Sequence, residues 1–127
     1  MAYTGTGINT SATIVEAASA AADYRGKCIK YVDGKAALAG AGELCMGVGL
    51  ITNADQTAAD ADVDLQVKEI GLGLAGAAIV KGKELASDAE GKLVEAASGN
   101  FVIGVALEDA AAAGKFIRMQ ICKYYKA

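Results

Sequence analysis

An internal duplication constrains the fold of this 127-residue chain more than any other feature of its sequence. The apolar segment Met46-Gly47-Val48-Gly49-Leu50 returns 57 residues later as Ile103-Gly104-Val105-Ala106-Leu107. The alternating segment Val63-Asp64-Leu65-Gln66-Val67 returns 54 residues later as Ile117-Arg118-Met119-Gln120-Ile121. The large apolar residues keep their phase, so we expect both copies to bury the same positions. Two units that pack their apolar faces together predict a fold with pseudo-twofold character.

The repeated segments are predicted to be β-strands, because their apolar and polar residues alternate. Residues 62–68 place aliphatic side chains on one face and Asp, Gln or Lys on the other. Residues 116–122 repeat this with Ile and Met against Arg and Gln. Such period-two alternation is typical of a strand with one solvated face. The predicted fold class is therefore mainly β, a small barrel or sandwich built from two duplicated strand units.

Glycine marks the same places in both copies. Asp33-Gly34-Lys35 corresponds to Glu90-Gly91-Lys92, and each predicts a turn in which Gly adopts a positive φ. Gly47 and Gly104 lie inside apolar strands, where a missing side chain indicates a bulge or a close approach of another backbone.

The segment between the copies is also rich in Gly. Gly71-Leu72-Gly73-Leu74-Ala75-Gly76 predicts a flexible crossing, followed by a strand at residues 77–80. Its letters match the dinucleotide motif GxGxxG, which requires a helix that offers its N-terminus to a pyrophosphate. Gly82 follows too soon for such a helix, so we interpret the match as a loop or bulge.

The N-terminal residues have a different composition from the rest. Residues 1–22 are rich in Ala, Thr, Ser and Gly, and they predict an extended N-terminal arm with a short helix near residues 15–22. The large aliphatic residues of this arm are Ile8, Ile14 and Val15. Residues 23–127 are predicted to form the β domain, with Tyr124-Tyr125 in a solvated C-terminal tail.

Charge and composition argue against several classes of function. The formal net charge is −3, with 12 basic residues scattered among 15 acidic ones. Binding to nucleic acid requires a basic surface, so nucleic acid is not an expected partner. The chain has no His, so neither a Ser–His nor a Cys–His pair can be built, and we expect no catalytic residues and no enzyme activity.

Metal, cofactor and membrane roles are not expected either. Cys28, Cys45 and Cys122 are widely spaced and contain no CxxC pair, so we interpret them as small apolar residues in a reducing compartment. The longest apolar run, residues 71–80, is far shorter than the ~18–20 residues that span a bilayer. The predicted cofactor and metal sets are empty.

The second copy resembles the capsid cement (decoration) proteins of tailed phages. The resemblance covers about residues 80–122, with a weaker echo in residues 25–67. It is carried by the turn Glu90-Gly91-Lys92, the strand Ile103-Gly104-Val105-Ala106-Leu107, an Ala-rich loop, Gly114 and an alternating final strand. The size, the Ala and Gly content and the acidic balance are also similar. The absence of Pro departs from the pattern, and the N-terminal region matches none.

The resemblance implies a structural virion protein that binds the outside of the capsid shell. Such proteins bridge subunits of the major capsid protein, are often homotrimers, and are made in the host cytoplasm during assembly. The resemblance further implies that the N-terminal arm lies on the shell and pairs with its strands. The capsid-binding residues predicted on this basis are Ile8, Ile14 and Val15.

Two alternatives remain open at the level of sequence. One is a small β-barrel carrier or ligand-binding module, in which Lys35 or Lys92 would be modified at a hairpin tip, although neither has the flanking Met usual in that class. The other is an accessory subunit of an enzyme. An intact mass that shows a modified lysine would favour the carrier module. A gene that lies beside a major capsid protein gene would favour a capsid protein, and one in a metabolic operon would favour an enzyme subunit.

Overall fold

The computed structural model describes residues 11–127. This part of the chain contains ten β-strands and no helix. The strands are β1 (Thr13–Ala17), β2 (Cys28–Val32), β3 (Lys35–Leu38), β4 (Gly47–Gly49), β5 (Asp62–Gln66), β6 (Glu69–Leu74), β7 (Glu84–Ser87), β8 (Leu93–Glu95), β9 (Phe101–Ala106) and β10 (Phe116–Tyr125).

The strands form two antiparallel sheets of identical topology. The first sheet has the order β1-β5-β4-β2-β3 and the second the order β6-β10-β9-β7-β8. Each strand of the second sheet therefore takes the place of the strand five positions earlier in the chain. The isolated bridges repeat as well: Ala18 with Ala36 and Ala22 with Thr57 in the first copy, and Ala75 with Leu93 and Ile79 with Ala110 in the second. The duplication seen in the sequence is confirmed as two copies of one five-stranded unit.

Neither sheet closes into a barrel. In the first sheet a single bridge between Ala18 and Ala36 brings the ends of the edge strands together, and Ala75 and Leu93 form the equivalent bridge in the second. The predicted mainly β fold is confirmed. Of the two architectures predicted, the open sheets are consistent with a sandwich.

The glycines inside strands permit a close backbone approach, as predicted. A Cβ atom on Gly47 would lie 2.1 Å from the carbonyl oxygen of Gln66, and one on Gly104 would lie 2.4 Å from that of Gln120. Gln66 and Gln120 are themselves equivalent in the duplication. Both copies therefore use a glycine to let β4 or β9 approach the next strand.

The turn glycines also behave as predicted. Gly34 has a φ of 75° and Gly91 a φ of 83°, a region that other residues rarely adopt. In the first copy Val32 pairs with Lys35, so the hairpin has a two-residue loop. Asp33, with a φ of 50°, completes the left-handed pair that such a tight hairpin requires.

The buried side chains form two clusters joined through β2. The first core comprises Ala18, Tyr24, Ile29, Ala36, Val63 and Leu65. The second core comprises ten residues of the second copy, among them Leu85, Ile103, Ile117 and Met119, together with Cys28, Ala39, Cys45 and Val48 of the first copy. Successive side chains of a strand point to opposite faces, so Ile29 enters the first core and Cys28 the second. The alternation predicted for residues 62–68 and 116–122 places their aliphatic residues in these cores.

The predicted helix near residues 15–22 is wrong. Thr13–Ala17 form β1, which pairs antiparallel with β5 from Thr13–Gln66 to Ala17–Asp62. Three consecutive β-branched residues favour a strand, and pairing with β5 satisfies the backbone groups on one side of it. The division of the chain between residues 22 and 23 stays a prediction, although residues 13–17 contribute an edge strand to the first sheet.

The glycine-rich crossing is a strand rather than a flexible segment. Glu69–Leu74 form β6, in which Gly71 and Gly73 face inward while Ile70 and Leu72 are exposed. A Cβ atom on Gly73 would lie 2.3 Å from Leu93 Cδ1, so glycine makes room for the second core. The strand predicted at residues 77–80 is reduced to the single bridge at Ile79.

The predicted C-terminal tail is part of the final strand, and its two tyrosines are exposed as predicted. Tyr124 and Tyr125 belong to β10, and the ring of Tyr125 meets that of Phe101 edge-on at 5.1 Å between centroids. Tyr124 donates a hydrogen bond to Glu84, whose carboxylate also lies 2.8 Å from Lys126 Nζ. The hydrogen bond to Glu84 raises the pKa of Tyr124 to about 12.

Candidate interaction surface

The outward side chains of β1 and β5 form a surface that we call the first outer face. Its six positions, read from the strand register and from the alternating burial, are Thr13, Val15, Ala17, Asp62, Asp64 and Gln66. Val15 is its large apolar residue, with 56% of its surface exposed. The six positions include two carboxylates and no cation, so this face is acidic.

The equivalent side chains of β6 and β10 form the second outer face. Its six positions are Ile70, Leu72, Leu74, Phe116, Arg118 and Gln120. Three of them are large and apolar yet exposed: Ile70 at 54%, Phe116 at 41% and Leu72 at 38%. Clusters of exposed apolar side chains are typical of interaction sites.

The two outer faces carry opposite charges at the same structural position. Val15 lies directly opposite Asp64 in the first sheet, and Leu72 lies directly opposite Arg118 in the second. The duplication makes these two pairs equivalent. An apolar residue thus accompanies an anion on one face and a cation on the other.

An apolar cleft lies beside the second outer face, with a volume of about 420 Å³. It is lined by Leu50, Ile51, Thr52, Gln66, Ile70, Gly71, Leu72 and Arg118. The first copy contributes the segment after β4 and the second copy contributes β6, so the cleft lies where the two copies meet. Ile51 is half exposed and makes the side of the cleft that the first copy contributes apolar. The equivalent residue of the second copy is the charged Glu108.

Arg118 is held in place but remains accessible. Its backbone N–H donates to Glu108 Oε1 at 2.8 Å, its Nε lies 3.4 Å from the same oxygen, and 60% of its side chain is exposed. Lys115 Nζ lies 3.6 Å from Glu108 Oε2. The hydrogen bond from the Arg118 backbone lowers the pKa of Glu108, so this carboxylate stays charged. Two cations face one anion here, which leaves this surface locally positive.

The predicted capsid-binding residues occupy different positions. Ile8 lies outside the described residues. Ile14 is partly buried and packs against the first core, while Val15, the next residue, is exposed on the first outer face. At the start of β1, Val67 N–H donates to the carbonyl of Ala12 at 2.8 Å, so Ala12 lies beside the end of β5.

The second outer face was missed by the sequence analysis. The signal that could have revealed it is the alternation of glycine and large aliphatic residues in Ile70-Gly71-Leu72-Gly73-Leu74, which has the period of a strand. We interpreted that alternation as a flexible crossing because glycine is uncommon inside strands. Arg118 was identified only as a solvated position of the final strand.

Residues 11–127 offer little evidence for a metal site, a membrane span or a modified lysine. No group of three or more His, Cys, Asp or Glu in this range could hold a metal ion. No helix there is long and apolar enough to cross a membrane. The lysines considered for a carrier role are both in ion pairs, Lys35 with Asp60 at 2.6 Å and Lys92 with Glu90 at 3.4 Å.

Comparison with solved structures shows the same fold in a phage protein. The crystal structure of the head fiber gp8.5 N base in bacteriophage phi29 aligns with a TM-score of 0.66 and 18% sequence identity. The alignment covers 87% of this chain and 92% of that one. No curated protein matches the sequence.

The duplicated open sheets and the exposed apolar faces define a β-rich protein with surfaces suited to interaction. More particularly, the chain belongs to the phage cement protein family, whose model matches residues 24–121. That range contains most of both copies, so the match does not depend on the second copy alone. The resemblance found in the sequence is confirmed, and the chain is a structural protein of the phage virion.

Proposed function

We propose that this protein binds the outer surface of the capsid shell as a homotrimer and stabilises it by bridging subunits of the major capsid protein. The observation that carries the proposal is the family match across residues 24–121. The protein is made in the host cytoplasm and ends on the surface of the virion.

Bridging requires more than one contact surface, and the chain offers several. Residues 1–12 precede β1 at the edge of the first sheet, the β domain adds a second surface, and a homotrimer presents three copies of each. One copy that touches two shell subunits raises the effective concentration of each contact for the other. Many copies, each of modest affinity, can then resist outward pressure on the shell.

The N-terminal arm is the proposed anchor, with Ile8, Ile14 and Val15 as its large apolar residues. An extended segment can pair its backbone with an exposed strand edge of the shell while its side chains fill shallow pockets. Because Ile14 packs against the first core, it fixes the base of the arm, and Ile8 is left to reach the shell.

The test is decoration of mature shells that lack the protein. Purified protein is added, bound copies are counted by cryo-electron microscopy, and shell survival is measured during heating. We expect ordered density between capsomers and a higher temperature of shell rupture. Absence of ordered density at saturating protein concentration would contradict the proposed function.

To test the arm as the anchor, the deletion must leave β1 intact. Removal of residues 2–10 preserves the pairing of β1 with β5, whereas a deletion through Val15 would remove part of that strand. We expect the truncated protein to fold normally and to decorate poorly. Ile8→Ser in the full chain removes one apolar side chain without shortening the arm, and it should also weaken decoration. Full-strength decoration by the truncated protein would refute the arm as anchor.

A further inference from the structure

We infer that one copy of this chain binds the next in a head-to-tail contact, in which the first outer face of one copy covers the second outer face of its neighbour. In this contact Asp64 lies against Arg118, and Val15 lies on Leu72 and Ile70 beside the apolar cleft. The inference rests on the proposed association into a homotrimer and adds which surfaces form the contact.

The first argument is the charge of the faces. At equivalent positions of the duplication the first face carries Asp64 and the second carries Arg118. Asp62 adds a second carboxylate to the first face, and Lys115 adds a cation near Arg118. Opposite potentials across an interface favour the right pairing of surfaces and suppress the wrong one.

The second argument concerns symmetry. A twofold contact made through one face alone would place that face against itself, so that Asp64 would meet carboxylates or Arg118 would meet a guanidinium. Like charges brought together at an interface are unfavourable. The combination of a first face with a second face pairs unlike charges, and it is heterologous when each copy uses its two faces on two different neighbours, as three copies in a ring require.

The third argument is the exposed apolar surface. The second face leaves Ile70, Leu72 and Phe116 in water, and Val15 is the large apolar residue exposed on the first face. Both faces are outward surfaces of antiparallel strand pairs with the same topology and matching register. Two such surfaces can pack face to face as sheets do within a domain.

A heterologous contact leaves one face free on each terminal copy. It therefore closes into a ring or continues as a filament. Closure after three copies gives the proposed homotrimer, in which every first face and every second face is covered. In the closed ring Val15 serves the contact between copies, which leaves Ile8 as the residue of the arm that meets the shell.

Charge reversal in the full chain tests the inference. Oligomeric state is measured by sedimentation velocity across a range of protein concentrations. We expect wild type to form a closed oligomer, and Asp64→Arg and Arg118→Asp each to raise its dissociation constant at least tenfold. The double variant, which restores an opposite pair, should associate again. Lys83→Asp, a charge reversal at an exposed residue of neither face, is the matched control and should associate as wild type does.

Mixing tests the orientation of the contact. Val15→Asp blocks the first face and Leu72→Asp blocks the second, so each variant alone should be monomeric. A mixture should form a 1:1 pair and nothing larger, because one native junction remains. Absence of such a pair, with both variants folded by circular dichroism, would overturn the head-to-tail arrangement.

Two further results would overturn the inference while the proposed capsid role stands. One is wild-type protein that decorates shells but sediments as a monomer. The other is a stable oligomer that neither charge reversal affects. Val15→Asp that associates normally but decorates poorly would assign Val15 to the shell instead, against its place in this contact.

Discussion

The glycines at the centre of each sheet provide the sharpest test of the duplicated fold. Replacement of Gly47 by Ala would place its Cβ 2.1 Å from the carbonyl oxygen of Gln66, and Gly104→Ala would place one 2.4 Å from that of Gln120. The obstacle is backbone of a neighbouring strand, which cannot move away as a side-chain tip can. Overpacking costs ~1–3 kcal/mol, and a rigid obstacle belongs at the upper end of that range.

Each of these two substitutions should therefore destabilise the protein by about 2–3 kcal/mol. For a domain of this size that corresponds to a fall in melting temperature of roughly 8–12 °C. Thermal unfolding followed by circular dichroism at a fixed protein concentration measures it. Gly71→Ala is the matched control within a strand, because its nearest neighbour would be a side-chain carbon of Val48 at 3.3 Å. It should remain within about 1 kcal/mol of wild type. Melting of Gly47→Ala or Gly104→Ala within about 2–3 °C of the control would refute the reasoning.

Three further predictions concern packing, pH and thiol access. Leu65 and Leu85 are fully buried in the first and second cores. Replacing either by Ala should lower the free energy of unfolding, measured in urea, by about 2–5 kcal/mol. A loss of less than about 1 kcal/mol would contradict the burial of that side chain. The hydrogen bond from Arg25 lowers the pKa of Asp23 below its usual 3.8, so the stability that Asp23 contributes is complete above pH 3.8 and is lost as pH falls through the lower value. Arg25→Gln should move the carboxyl NMR midpoint of Asp23 up toward 3.8, and an unchanged midpoint would exclude this cause. Among the three cysteines, Cys122 is partly exposed and the other two are buried, so one thiol should react fast with a disulfide reagent in the native protein and three after unfolding. Cys122→Ser should abolish the fast reaction.

The sequence predicted the parts of the fold that depend on local periodicity. Val63 and Leu65 alternate with polar residues, and burying them on one face requires nothing beyond a strand. Gly47 and Gly104 were equally informative, because a glycine inside an apolar strand usually marks a bulge or a close approach of backbone. Because the two copies match in sequence, each prediction made for one copy also applied to the equivalent residues of the other.

What the sequence could not show depends on contacts between distant segments. β1 pairs with β5 across about 50 residues of sequence, and the helix propensity of the Ala-rich residues that follow obscured this pairing. Gly71 and Gly73 lie in a strand because Glu69–Leu74 pair with β10, and Leu93 occupies the space that an inward side chain would need at Gly73. Tertiary packing overrides local propensity at both places.

The divergence between the two copies follows a physical rule. The inward positions of β5 and β10 stay large and apolar, as Leu65 and Met119 do, because each must fill an enclosed space at close packing. Positions that face outward are free of that constraint, and there the copies differ in the sign of charge, with Asp64 in one and Arg118 in the other. The two outer faces thus differ in charge while the inward positions of the same strands remain apolar. In the proposed head-to-tail contact this difference in charge joins copies of the chain in one direction, and the joined copies would hold several points of the shell at once.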